Sequence, residues 1–191
     1  MMASKDVIWI TRHGEREDVA DLEWINKPHR SDDDTPLAAK GLVQAAELGE
    51  RLKAEHIDYI FSSPFDRCVN TAQIISSLRE TPLSIKIEPG ICEVLYDFPP
   101  GYLSLTELKL QYPLVDMDYT PALIPDKWEP NSSHCIERVQ MTVKKIRHTH
   151  SGSILGVRLT SRVCKRCKCG NWIIGNHSTG LIRIGRGAVR P

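Results

Sequence analysis

Thr11-Arg12-His13-Gly14-Glu15-Arg16 follows directly on the apolar run Val7-Ile8-Trp9-Ile10. Adjacent guanidinium and imidazole groups suit phosphoryl chemistry. The arginine holds the phosphoryl oxygens while a ring nitrogen bonds to phosphorus. A second arginine, Arg67, lies in Ser62-Ser63-Pro64-Phe65-Asp66-Arg67-Cys68-Val69-Asn70-Thr71-Ala72; taken alone, it reads as a solvated helix residue. A carboxyl, Glu93, closes the stretch Glu88-Pro89-Gly90-Ile91-Cys92-Glu93. Beside a leaving oxygen, such a group acts as general acid when partial burial raises its pKa. Alone, it is an ordinary loop glutamate. The stretch from Asp34-Thr35-Pro36-Leu37 to Ala45 reads as a helix start with a structural role.

To act together these groups must share one edge of a fold, and the hydrophobic pattern supplies the means. The apolar run at Asp6–Ile10 lacks alternation, which indicates a strand buried on both faces. A charged loop follows from Asp18 to Asp34. Thr35-Pro36-Leu37 opens a helix through Gln44, Leu48, Leu52 and Glu55, with proline suited to its first turn. Strands are expected at Ile57–Phe61, Ser84–Glu88 and Ser153–Leu159. Helices are expected at about Phe65–Arg79, Ser104–Gln111 and Ser133–His148, the last with Ile136, Val139, Val143 and Ile146 at helical spacing. Strands separated by helices predict an α/β fold of three layers, α/β/α, around a mostly parallel sheet. A strand ending in Arg-His-Gly would then present both groups at the carboxyl edge, where open α/β sheets bind ligands.

The 191 residues are ordinary in hydrophobic (41%) and charged (26%) content, enough for one globular domain. No run approaches membrane-span length, and the start shows no secretory signal. The six cysteines lack framework spacing, so a cytoplasmic chain with reduced thiols is expected. Charge is uneven: residues 151–191 carry eight basic residues and no acid, leaving 17 basic and 24 acidic residues in the first 150. Such a tail suits nucleic-acid or membrane binding, or marks a segment of different origin such as an alternative exon or shifted frame. It lacks interleaved aromatics and a recognisable module, so neither nucleic acid nor membrane is the expected partner. Cys164, Cys167 and Cys169, with His177, invite a zinc reading, but the second half of the spacing is missing. No metal or cofactor is expected.

The four motifs, in this order, resemble the histidine phosphatase superfamily, with its phosphoglycerate mutase-like fold. They look most like the phosphatase domains of the suppressor-of-T-cell-receptor-signalling group and its invertebrate relatives. The resemblance runs from about residue 6 to 155, giving a domain over 1–157 and a divergent basic tail over 158–191. It implies that His13 is the nucleophile and forms a phosphohistidine. Arg12 and Arg67 would clamp the phosphoryl group, Arg16 would extend the positive pocket, and Glu93 would protonate the leaving oxygen and later assist water. No metal is implied.

The chain also departs from the family pattern. The family carries a second pocket histidine after the strand that follows the last helix. Here Gly152-Ser153-Ile154-Leu155-Gly156-Val157-Arg158-Leu159-Thr160-Ser161 holds none, and His177 is the next candidate. His148 and His150 precede the strand and read as solvated. Because the resemblance stops near residue 155, the sheet is expected to be incomplete at its C-terminal end. Ala38 replaces the family's threonine, a lost cap or turn hydrogen bond. Two functions follow: a metal-independent phosphatase for a phosphorylated protein or small phosphoester, impaired by the missing histidine, or an inactive phosphate-binding or interaction relative. Mutase activity is a subordinate version of the first.

Overall fold

The computed structural model describes residues 7–158, together with the backbone of 172–174 and 182–185. Val7–Arg12 forms β1, longer than the apolar run alone suggests because Thr11 and Arg12 continue the pairing. Tyr59–Ser62 is β2, Ile85–Ile87 is β3 and Ile154–Arg158 is β4. These four strands are parallel, with β4 between β1 and β2 and β3 beyond β2. Trp172–Ile174 and Ile182–Gly185, β5 and β6, add two antiparallel strands, with β6 on the other edge of β1 and β5 outermost. β1 is thus paired on both edges, with β4 on one side and β6 on the other.

The strands connect through Glu17–Ala20 (α1), Ala39–Leu52 (α2), Asp66–Ser77 (α3), Leu105–Gln111 (α4) and Ser132–Thr149 (α5). Alternation splits the sheet's side chains between two cores. On one face Trp9, Ile60, Ile85, Leu155 and Val157 pack with Leu48 and Leu52 of α2, Val69, Ala72 and Ile75 of α3 and Leu108 of α4. On the other, Phe61 and Ile154 pack with Ile91, in the turn after β3, and with Ile146 of α5. Ile60, Ile85 and Leu155 are wholly buried, each worth roughly 1.5–3 kcal/mol. Ser104 and Glu107 form a reciprocal capping box that starts α4 as expected.

The structure corrects the expected start of α2. Thr35-Pro36-Leu37 is extended, not helical, and the helix begins at Ala39. Pro36 lies in a segment that pairs with the chain after His13: Leu37 bridges Arg16, the Glu17 amide donates to the Pro36 carbonyl at 3.0 Å, and the Ala38 amide to Glu15 at 2.9 Å. The charged loop also has structure of its own, including α1 and a 3-10 turn at Trp24–Asn26 that buries Trp24. No helix among the described residues is long and apolar enough to cross a membrane.

Candidate functional site

β1, β2 and β4 end side by side, so the residues after them share the carboxyl edge of the sheet. The turn after β1 is fixed by close backbone contact. A methyl group on Gly14 would lie 2.3 Å from the Gly41 carbonyl oxygen, and one on Gly41 would lie 2.2 Å from the Glu15 oxygen. Only glycine at both positions lets the turn touch α2. The Gly14 amide donates to Thr71 Oγ1 at 3.3 Å and the Glu15 amide to Gln44 Oε1 at 2.8 Å, so α3 and α2 both hold the loop that carries His13.

His13 is 6% exposed. Its Nδ1 lies 2.5 Å from the Gly14 carbonyl oxygen, which accepts only, so Nδ1 carries the proton. Nε2 is buried and has no hydrogen-bond partner. Burial, chiefly, and the charges of Arg67, Arg12 and Arg16 push the pKa down to about 3, against the opposing pull of the Gly14 carbonyl. The ring is thus neutral near pH 7, with an unprotonated Nε2 among three guanidinium groups. A buried polar atom without a partner costs about 1–3 kcal/mol, which a ligand can recover.

Arg67 is not a solvated helix residue: it is 2% exposed. It sits in the first turn of α3, stacked 4.6 Å above the Phe65 ring, with Nη1 donating to the Asp33 carbonyl at 2.9 Å. Its Nε is buried without a partner, a second donor available to an anion. Asp34 organises this corner. It accepts the Asp66 amide at 2.7 Å, capping α3 from a distance, pairs with Arg30, and lies 3.7 Å from Arg67 Nη1. Burial raises the Asp34 carboxyl to about 6. Arg12 is exposed at the strand end. Arg16 is half-buried and donates bidentately to Asp18 at 2.8 and 2.5 Å, so it brings its own counter-ion to the pocket. Glu93 is half-buried, and its charge favours the Arg67 guanidinium. His13 thus feels the charges of Arg67, Arg12 and Arg16, and Arg67 feels those of Arg16 and Glu93.

Two groups went unremarked in the sequence. Glu88 is fully buried and accepts from the Gly90, Ala122 and Leu123 amides and the Tyr119 hydroxyl at 2.6–3.2 Å, fixing the turn before Glu93. Arg138 and Glu129 form a buried pair at 2.7 Å behind the same turn. Arg138 was legible as a charge within the inward stripe Cys135, Val139, Thr142 and Ile146 of α5. His148 and His150 lie at the far edge, where α5 leads into β4. His150 is half-buried rather than solvated, edge-on to Tyr59 and Phe61 at 4.9 and 5.2 Å. His177 and Cys164, Cys167 and Cys169 lie outside the described residues.

The sequence profile of the histidine phosphatase superfamily (branch 1) matches residues 8–158. Mouse ubiquitin-associated and SH3 domain-containing protein A is 32% identical over 182 residues, spanning 76% of this chain and 29% of that protein. The Drosophila melanogaster ecdysteroid-phosphate phosphatase is 27% identical, spanning 78% of this chain and 25% of that protein. The chain thus matches only about a quarter of these curated relatives' length. The crystal structure of the Bombyx mori ecdysone phosphate phosphatase with tungstate superimposes with a TM-score of 0.68 at 24% identity, covering 81% of this chain and 73% of that one. Bacillus stearothermophilus YhfR follows at 0.56 and 24%, covering 84% and 76%. Both share this fold.

Proposed function

Because the chain belongs to the histidine phosphatase superfamily, branch 1, we propose that it hydrolyses phosphomonoesters through a phosphohistidine at His13, without a metal, at a rate reduced by the want of a second pocket histidine. The observation that carries this reading is the buried, unpartnered and unprotonated Nε2 of His13 within reach of three guanidinium charges. Arg67, Arg12 and, beyond its pairing with Asp18, Arg16 neutralise the phosphoryl oxygens. Nε2 attacks phosphorus, the bond to the leaving oxygen breaks, and Glu93 gives that oxygen its proton. Glu93, now a carboxylate, takes a proton from water as the water attacks. The P–N bond breaks, releasing phosphate and restoring His13. The substrate is a phosphorylated protein or a small phosphoester, the latter in keeping with the names of the insect relatives.

The test is release of phosphate from an aryl phosphate in EDTA, with quenched samples assayed for an acid-labile, alkali-stable phosphoryl-protein. Turnover with that intermediate is the expected result. A folded chain giving neither overturns the reading. The second reading, phosphate binding without turnover, draws on the lack of histidine from Gly152 to Ser161.

A further inference from the structure

We propose that Arg138, gripped by Glu129, is a positioning residue for the proposed general acid Glu93. The inference rests on the phosphohistidine reading and adds a residue to it. Arg138 is 7% exposed and reaches from α5 into the turn that carries Glu93. Its Nε and Nη2 donate to the two Glu129 carboxylate oxygens at 2.7 and 2.9 Å. Nη1 donates to the Gly90 and Cys92 carbonyls at 3.0 and 3.2 Å, and Nη2 also donates to the Glu93 carbonyl at 2.8 Å. The planar fork thus ties one acid to three carbonyls of a single turn, a geometry lysine cannot copy.

Glu129 closes the bracket from the other side. Its carboxylate accepts the Leu95 amide at 3.1 Å, and its own amide donates to the Leu95 carbonyl at 2.7 Å. Backbone is therefore held on both sides of Glu93 and at Glu93 itself. Thr142 completes the grip by donating to the Gly90 carbonyl at 3.2 Å, and a methyl group on Gly90 would lie 2.4 Å from Thr142 Oγ1. With each guanidinium nitrogen bonded to protein, Arg138 acts on the phosphoryl group only through Glu93. The charges that bear on His13 are those of Arg67, Arg12 and Arg16.

The experiment compares the whole chain with Arg138→Lys and with the double variant Glu129→Gln/Arg138→Met, which removes both buried charges should the lysine variant fold poorly. Each is assayed on an aryl phosphate with an acidic phenol, whose departure needs no proton, and on an alkyl phosphate, whose departure does. The expected result is a loss in kcat/KM of about tenfold or more on the alkyl ester with the aryl kcat/KM within about twofold, because kcat/KM reports phosphoryl transfer to His13 and not the water step common to both esters. Glu93→Gln should show the same split, and adding it to Arg138→Lys should cost nothing further on the alkyl ester. Equal losses on both esters, or none, overturn the inference. Carboxyl-carbon NMR of Glu93 reads the same variants without turnover. Its titration midpoint should move in both, and an unmoved midpoint overturns the inference even if the wild type proves inactive. Wild-type inactivity alone counts against the phosphatase reading, not against this one.

Discussion

Replacing His13 with alanine is expected to lower aryl phosphate hydrolysis by about four orders of magnitude or more, because the bond to phosphorus then has no nitrogen to form it. The phosphoryl-protein should vanish with it. Turnover within tenfold of wild type would show that another group attacks. The same substitution should alter the pH dependence of stability. In the folded chain His13 titrates at about 3, and at its ordinary 6.5 when unfolded. Between those values the unfolded chain binds the extra proton, so the folded state loses stability as pH falls from 6.5 towards 3 and regains it as pH rises. Urea unfolding at pH 7 and pH 4.5 should therefore show a smaller difference for His13→Ala than for wild type. An equal difference would mean that the imidazole is not held neutral by the fold. For the same reason protonation of His13 should not limit the rate near pH 6.

Arg67→Ala should reduce kcat/KM by about 10³, and Arg67→Lys by about 10², since lysine restores the charge but not the fork. The residue makes two contributions that can be read separately. Its Nε is a donor without a protein partner, so its loss falls on the transition state. Its Nη1 bonds to the Asp33 carbonyl and neighbours Asp34, so its loss also leaves a buried carboxylate with Arg30 and the Asp66 amide as its remaining partners. Removing one partner of such a buried pair costs about 3 kcal/mol. Binding of tungstate or vanadate should weaken in step with kcat/KM, while chemical denaturation reports the stability loss. An alanine variant that is destabilised yet turns over normally would place Arg67 in the scaffold alone.

Much of this arrangement is legible in the sequence, because the elements that carry it follow local rules. β1 shows as an unbroken apolar run and the helix bearing Arg67 as a period of 3.6, and the order of strands and helices dictates a parallel sheet. Arg12 ends β1, and His13, Arg16, Arg67 and Glu93 come after β1, β2 and β3, so all lie towards the carboxyl edge of the sheet. What escaped is tertiary. Pro36 matches a helix start by local preference, yet the segment is extended because Leu37 and Ala38 pair with the loop after His13. Asp34 looks like a local helix signal, whereas its carboxylate caps a different helix, α3, at the Asp66 amide. Arg138 belongs to the inward face of α5, and its partners lie on a turn and an acid outside that helix. Contacts between residues far apart in the chain leave no periodic trace.

The order of the sheet has a consequence for how the protein is made. β1, made before the other strands of this sheet, lies between β4 and β6, which are made well after it. At roughly 5–20 residues per second, the strand that leads to His13 waits on the order of ten seconds with both edges unpaired. Its apolar run is meanwhile open to strand pairing with other nascent chains. Pairings this distant also make folding slow. The yield of functional protein in a cell should thus depend on chaperones that shield the apolar run of β1 during synthesis. A chain halted before Ile154 would carry the full Arg-His-Gly motif with neither neighbour to build it against.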